Sequence, residues 1–98
     1  MYKTVFRDIA AAEYADAIEW YEKRSQPAAE TFIAAINEKL SRISSNPKQY
    51  KSIFKNYYEV STSRYPFIIV YFIEEKLQQV IIVAIYHHKR RPRKKYRK

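Results

Sequence analysis

The chain contains no glycine and no cysteine in 98 residues. Without glycine there is no Gly-rich loop to cradle a phosphate, so P-loop and Rossmann nucleotide sites are excluded. Turns must instead be built from Asn, Asp, Ser, Lys and Pro. Without cysteine there is no disulfide framework, no zinc–thiolate site and no thiol nucleophile. A long apolar run is also missing: nothing approaches the roughly 18–20 residues that a membrane span needs. Met1 to Asp8 has no apolar signal-peptide core. Neither export nor membrane insertion is expected, and a cytoplasmic location fits a chain free of cysteine.

What is present is an apolar fraction of 47%, enough for one packed core. At this length a single domain over residues 1–98 is expected. The net charge is +9 and it is unevenly placed. Eight Lys/Arg and no acid lie between His87 and Lys98, which leaves 11 basic and 10 acidic residues in 1–86. The body is nearly neutral, and the C-terminal run is the electrostatic feature. Such a run calls for an anionic partner or surface, as in binding nucleic acid through phosphates, or stays in water as a solubility tail.

The first half reads as one strand and two helices. Tyr2 to Phe6 is a short β-like run, and Asp8 is a candidate helix cap. Ala10, Tyr14, Ala17, Ile18 and Tyr21 recur at helical spacing, with Glu13, Asp16, Glu19 and Glu22 on other faces. Lys23-Arg24-Ser25 closes this helix. Pro27 suits the first turn of a second one, in which Phe32, Ile36, Leu40 and Ile43 form the stripe and Ser44-Ser45-Asn46-Pro47 the stop. The short connection predicts a helical hairpin.

The second half reads as strands. Tyr58, Val60 and Thr62 alternate with Tyr57, Glu59 and Ser61. Phe67 to Ile73 and Val80 to Tyr86 are apolar runs rich in β-branched and aromatic residues, read as buried strands. Glu74-Glu75-Lys76-Leu77 is a hairpin connection, and Pro66 marks a strand start. The expected fold class is therefore α+β, in the order β-α-α-β-β-β, with the helical hairpin packed on an antiparallel sheet.

This order and two stretches resemble the RelE/ParE family of bacterial type II toxins. The first stretch is Arg64-Tyr65-Pro66-Phe67-Ile68-Ile69-Val70-Tyr71, similar to the family's Arg, aromatic, Pro, aromatic and strand. The second is Ala84-Ile85-Tyr86-His87-His88-Lys89-Arg90-Arg91-Pro92, similar to its apolar strand followed by His-x-x-Arg-x-Pro. Asn46-Pro47 after the second helix also sits where the family often places it. The chain departs from the pattern at Arg91, where Asp or Asn is common, and at Tyr96, where Trp is common. The loop before the second strand lacks the family's usual Gly.

The resemblance implies a toxin with a cognate antitoxin, one that wraps an extended, acidic-amphipathic segment around it. Two mechanisms follow from it. ParE-like members trap DNA gyrase and need a binding surface; the Pro-aromatic strand and the His-x-x-Arg-x-Pro ending are closer to this branch. RelE-like members cut messenger RNA on the ribosome, which takes a base, an acid and cations around one phosphate. For that chemistry the candidates are Lys51, Lys55, Arg64, His87, His88, Arg90 and Tyr96. For binding a target or antitoxin they are Arg64, Tyr65, His87, His88, Arg90, Arg91 and Arg93. His87 follows an apolar strand and reads equally as a packing residue, with His88 on the opposite side. Arg64 has Glu59, Glu74 or Glu75 as alternative partners. Two adjacent His without a third ligand do not make a metal site, and no cofactor is expected. Residues 93–98 are left as a candidate free tail. A non-toxic nucleic-acid-binding module driven by that tail is the reading from another class.

Overall fold

The computed structural model describes residues 1–62 and 64–89. The element order is β1 (Lys3–Phe6), α1 (Asp8–Glu22), α2 (Gln26–Ser45), a 3-10 turn (Pro47–Gln49), β2 (Ser52–Phe54), β3 (Tyr57–Ser61), β4 (Phe67–Glu74) and β5 (Gln79–His87). The α+β order read from the sequence is present, with one further short strand, β2. The sheet is five-stranded in the order β1-β5-β4-β3-β2. It is mixed and not wholly antiparallel, because β1 runs parallel to β5, with Lys3 opposite Gln79 and Phe6 opposite Ile82. The helical hairpin between β1 and the other strands carries the chain across the sheet, and that crossover permits the parallel pairing.

Local chemistry sets the helix ends. Arg7 is the N-cap of α1 and its side chain makes no cap hydrogen bond, so Asp8 is the first helical residue and not the cap. There its charge faces the positive end of the helix dipole. Ser25 caps α2 as its hydroxyl accepts from the Ala28 N–H at 3.1 Å, with Pro27 in the first turn. The end of α2 is tied to the start of β1: the Tyr2 N–H donates to the Ser44 carbonyl at 3.0 Å, and the Ser44 hydroxyl donates back to the Tyr2 carbonyl. In a chain without glycine, Lys55 and Gln78 take the left-handed conformation in the two tight hairpin turns, each with φ 52°.

Both helices lie on one face of the sheet. Ala10 and Ile43 from the helices meet Val60, Ile69, Tyr71, Val80, Ile82 and Ile85, all buried. Ala17, Phe32 and Ile36 extend this core toward Tyr65 and Phe67. The other sheet face carries Tyr57, Val70, Ile81, Val83, Ala84 and Tyr86. Strand β4 alternates regularly between the two faces, but β5 does not. Val70 pairs with Ala84 and Tyr71 with Ile82, so Val83 is an extra residue, a β-bulge. Val83 and Ala84 therefore share a face, and the strand resumes with Ile85 on the helix side.

Among the described residues, burial leaves one orphan. The Tyr14 ring stacks on Phe6 and meets Phe32 edge-on, both at 6.1 Å. Its hydroxyl is buried and has no hydrogen-bond partner among the described residues. Desolvation pushes the phenol above its ordinary pKa. Tyr14→Phe keeps the ring and removes the unsatisfied group, so it should stabilise the chain by about 1 kcal/mol. Thermal unfolding should show a rise of roughly 4–8 °C.

A polar latch closes the end of the sheet where β4 turns into β5. Glu75 accepts from the Tyr2 hydroxyl at 2.9 Å and pairs with the Lys48 ammonium at 2.7 Å. Lys48 first, then Tyr2, hold the Glu75 carboxyl below its ordinary pKa, while Glu75 raises both Lys48 and Tyr2. The Glu75 contribution is present above its unfolded pKa and is lost as pH falls through the lowered folded value. The Lys48 contribution is present below its unfolded pKa and is lost as pH rises through the raised one. Lys48 and Glu75 are exposed, and the hydrogen bond from the half-buried Tyr2 lies at the surface, so the latch is a small term. Urea unfolding of Glu75→Gln should match the parent below the folded Glu75 pKa and fall short of it near neutral pH.

Candidate functional site

The bulge at Val83 decides where the end of β5 points. It puts His87 on the helix side, where its ring meets the Phe67 ring edge-on at 5.4 Å. The Lys89 N–H donates to His87 Nδ1 at 3.1 Å, so in this geometry the His87 proton sits on Nε2. His88 is held to the β3–β4 connection by its own N–H, which donates to the Pro66 carbonyl at 2.8 Å. Its Nδ1 lies 3.2 Å from the same carbonyl and donates to it. The two imidazoles stack at 5.3 Å with 13° between their planes. The strand alternation that would separate them has ended at His87, which is why His88 lies beside its neighbour and not opposite it.

A groove of about 520 Å³ runs between α1 and these strand ends, lined by Glu13, Asp16, Trp20, Phe67, Ile85 and His87 among others. Strand β1 pairs only with Gln79 to Ile82, so further along this edge α1 takes its place. Glu13 Oε1 accepts from the Ile85 N–H at 2.9 Å, in the position of a missing strand carbonyl. Trp20 is 46% exposed, and the Arg24 guanidinium lies 3.3 Å from its ring centroid. The sequence pattern put Glu13 and Asp16 on solvent faces and gave Trp20 no role. The one tryptophan of the chain, outside the apolar stripe of its helix, was the available signal.

A second groove of about 420 Å³ lies between α2 and the β3–β4 connection, with Thr31, Glu38, Lys39, Arg64 and Tyr65 in its walls. Arg64 is exposed and makes no ion pair among the described residues; Glu75 is taken by Lys48. Tyr65 is half-buried, with its ring edge-on to Tyr21 at 5.6 Å and to Phe32 at 5.3 Å. Its ring therefore anchors the connection to the helical hairpin. Lys51 and Lys55 flank β2 at the far edge of the sheet. Arg64, His87 and the two lysines thus occupy three separate places. Arg90, Arg91, Arg93 and Tyr96, with the rest of the proposed tail, lie outside the described residues. Among the described residues no group of three His, Asp or Glu could hold a metal ion, and no helix is long and apolar enough to cross a membrane.

Residues 5–92 match the family model of the ParE toxin of the type II toxin-antitoxin system, parDE. The chain belongs to the ParE toxin family. No curated protein gives a significant match. Solved structures share the fold of this ParE-family chain at low identity. The chromosomal ParDE TA system of P. aeruginosa superposes with a TM-score of 0.73 at 18% identity, over 89% of this chain and 96% of that one. The isolated E. coli RelE toxin gives 0.63 at 15% identity, over 93% and 88%. The toxin-antitoxin complex RelBE of E. coli gives 0.60 at 15%, over 87% and 94%. Two helices on a five-stranded mixed sheet is thus the architecture this ParE-family toxin shares with ParE and RelE structures.

Proposed function

We propose that this toxin acts on DNA gyrase in the cytoplasm as a binding inhibitor and is held silent by a cognate antitoxin. The observation that carries the proposal is the ParE family match, which runs through both sequence stretches that resemble the ParE branch, up to Pro92. The geometry is consistent with it. Cleavage of messenger RNA needs a base, an acid and a cation around one phosphate. Among the described candidates, Arg64 and His87 line different grooves, and Lys51 and Lys55 lie at the far edge of the sheet. A binding inhibitor needs no such gathering. The groove of α1 and β5, ending at His87 and Lys89 where the basic run begins, is the surface proposed to meet the target.

Induced expression in bacteria should arrest growth and raise the DNA-damage response while bulk translation continues at first. Translation arrest with cleaved messenger RNA and no damage response would instead assign the chain to the ribosome-dependent ribonucleases. Co-expression of a small reading frame adjacent to the toxin gene should relieve the arrest.

A further inference from the structure

The sheet face turned away from the helices is buried. Val70, Val83 and Ala84 are wholly out of water there, and even the large rings of Tyr57 and Tyr86 are only 5% and 6% exposed. Yet both helices pack on the opposite face. Among the described residues this cluster is built from strand residues alone, with Val5, Ile68 and Phe72 packed against it. Side chains on one face of a sheet stand side by side, so a second layer is needed to cover them from above. Apart from position 63, the chain outside the described residues is the run 90–98, which starts just past the end of β5.

We infer that this face is the docking site of the chain's own C-terminal run, residues 90–98. Charge and reach both fit. Strand alternation puts Glu59 and Glu74 on this face, both half-buried, whereas the run holds seven Lys/Arg and no acid. Glu59 stands in line with Val70 and Ala84 across the sheet, two strand spacings or about 10 Å from β5. Ala84 is three residues before His87, about 10 Å along the strand. Nine residues span about 30 Å when extended. Lys and Arg stems lie on apolar surface while their charged ends reach a carboxylate or water. Tyr96, the one ring of the run, matches the aromatic corner where Tyr57 meets Phe54 at 6.4 Å and Phe72 at 5.8 Å. A nucleic acid on this face would meet the two carboxylates, and a second copy would set those acids against their own kind. The basic run is then engaged by the sheet, and an anionic partner must lift it to bind. This docking does not depend on the target proposed above.

The absence of cysteine makes the test direct, because Lys94→Cys in the full chain takes a single nitroxide label. Methyl NMR then reads which face the label approaches. The signals of Val70, Val83 and Ala84 should be lost and should return when the nitroxide is reduced, while those of Ile69 and Ile82 on the helix side persist. Glu59→Lys, at a half-buried position, should restore the lost signals, with circular dichroism showing that the fold is kept. Isotope-labelled chain without the nitroxide, mixed with nitroxide-bearing chain, should keep all its signals, because the contact is within one chain. Retention of every signal, loss confined to Ala17 and Ile85 in the groove beside α1, loss in the mixed sample, or a loss that Glu59→Lys leaves unchanged would overturn the docking.

Discussion

Deleting Val70 is expected to abolish folding, whereas deleting Val83 leaves a folded chain. Both residues are fully buried valines on the same sheet face, paired strands apart by one position. They differ in what their removal does to the alternation. Strand β4 alternates without interruption, with Phe67, Ile69, Tyr71 and Ile73 toward the helices. Losing Val70 turns one half of that set to the opposite face, because the side-chain period is two. Either Phe67 and Ile69 or Tyr71 and Ile73 leave the core. Each fully buried apolar side chain is worth about 1.5–3 kcal/mol, and the total stability of a domain is only about 5–15 kcal/mol. Losing Val83 removes the extra residue of the bulge. Ile82 and Ile85 stay on the helix side, Ala84 and Tyr86 stay opposite, and the existing pairs of Tyr71 with Ile82 and Val70 with Ala84 become continuous. The cost is one buried valine, roughly 2–3 kcal/mol. Circular dichroism with urea unfolding reads both. A cooperative transition for the Val70 deletion, or none for the Val83 deletion, would contradict the register.

Tyr71 carries the second large effect. Its side chain is fully buried at the centre of the helix-facing core and stacks on Tyr58 at 5.1 Å. Its hydroxyl donates to the Pro47 carbonyl at 2.6 Å, which ties β4 to the turn that ends α2. Burial, with smaller additions from Tyr58 and Tyr50, pushes the phenol far above its ordinary pKa. Tyr71→Phe should cost about 1–3 kcal/mol by leaving the Pro47 carbonyl unpaired. Tyr71→Ala should cost about 3–5 kcal/mol through the cavity and lost packing. The contrast with Tyr14→Phe is informative: the same substitution should destabilise at position 71 and stabilise at position 14, because only one of the two hydroxyls has a partner.

The elements that the sequence made legible are those with a strong local period. The stripes of α1 and α2 and the place of Pro27 in the first turn of α2 need only neighbouring residues to be read. The runs from Phe67 and from Val80 were long enough to stand as strands. What escaped had no local signal. Val80 to Tyr86 is apolar at every position, so the pattern that would expose a bulge is erased. β2 is three residues between lysines and reads as a loop. The parallel partner of β1 lies at the other end of the chain, and only the whole fold brings Lys3 opposite Gln79.

The candidate site was half legible for the same reason. His87 and Arg64 stood out by residue type, but which face His87 takes depends on the bulge. Tyr65, singled out for binding, has its ring against Tyr21 and Phe32. Glu13, Asp16 and Trp20 line the groove because α1 continues past the end of β1, a length relation between two elements and not a property of either one. His88 shares the side of His87 because the strand has already ended there.

The most direct test is DNA supercoiling by purified gyrase in the presence of the purified toxin. The expected result is loss of supercoiling and accumulation of cleaved DNA held by gyrase, with ribosome-bound messenger RNA left intact in a parallel reaction. Unimpaired supercoiling at toxin concentrations that cut ribosome-bound messenger RNA would contradict the gyrase reading.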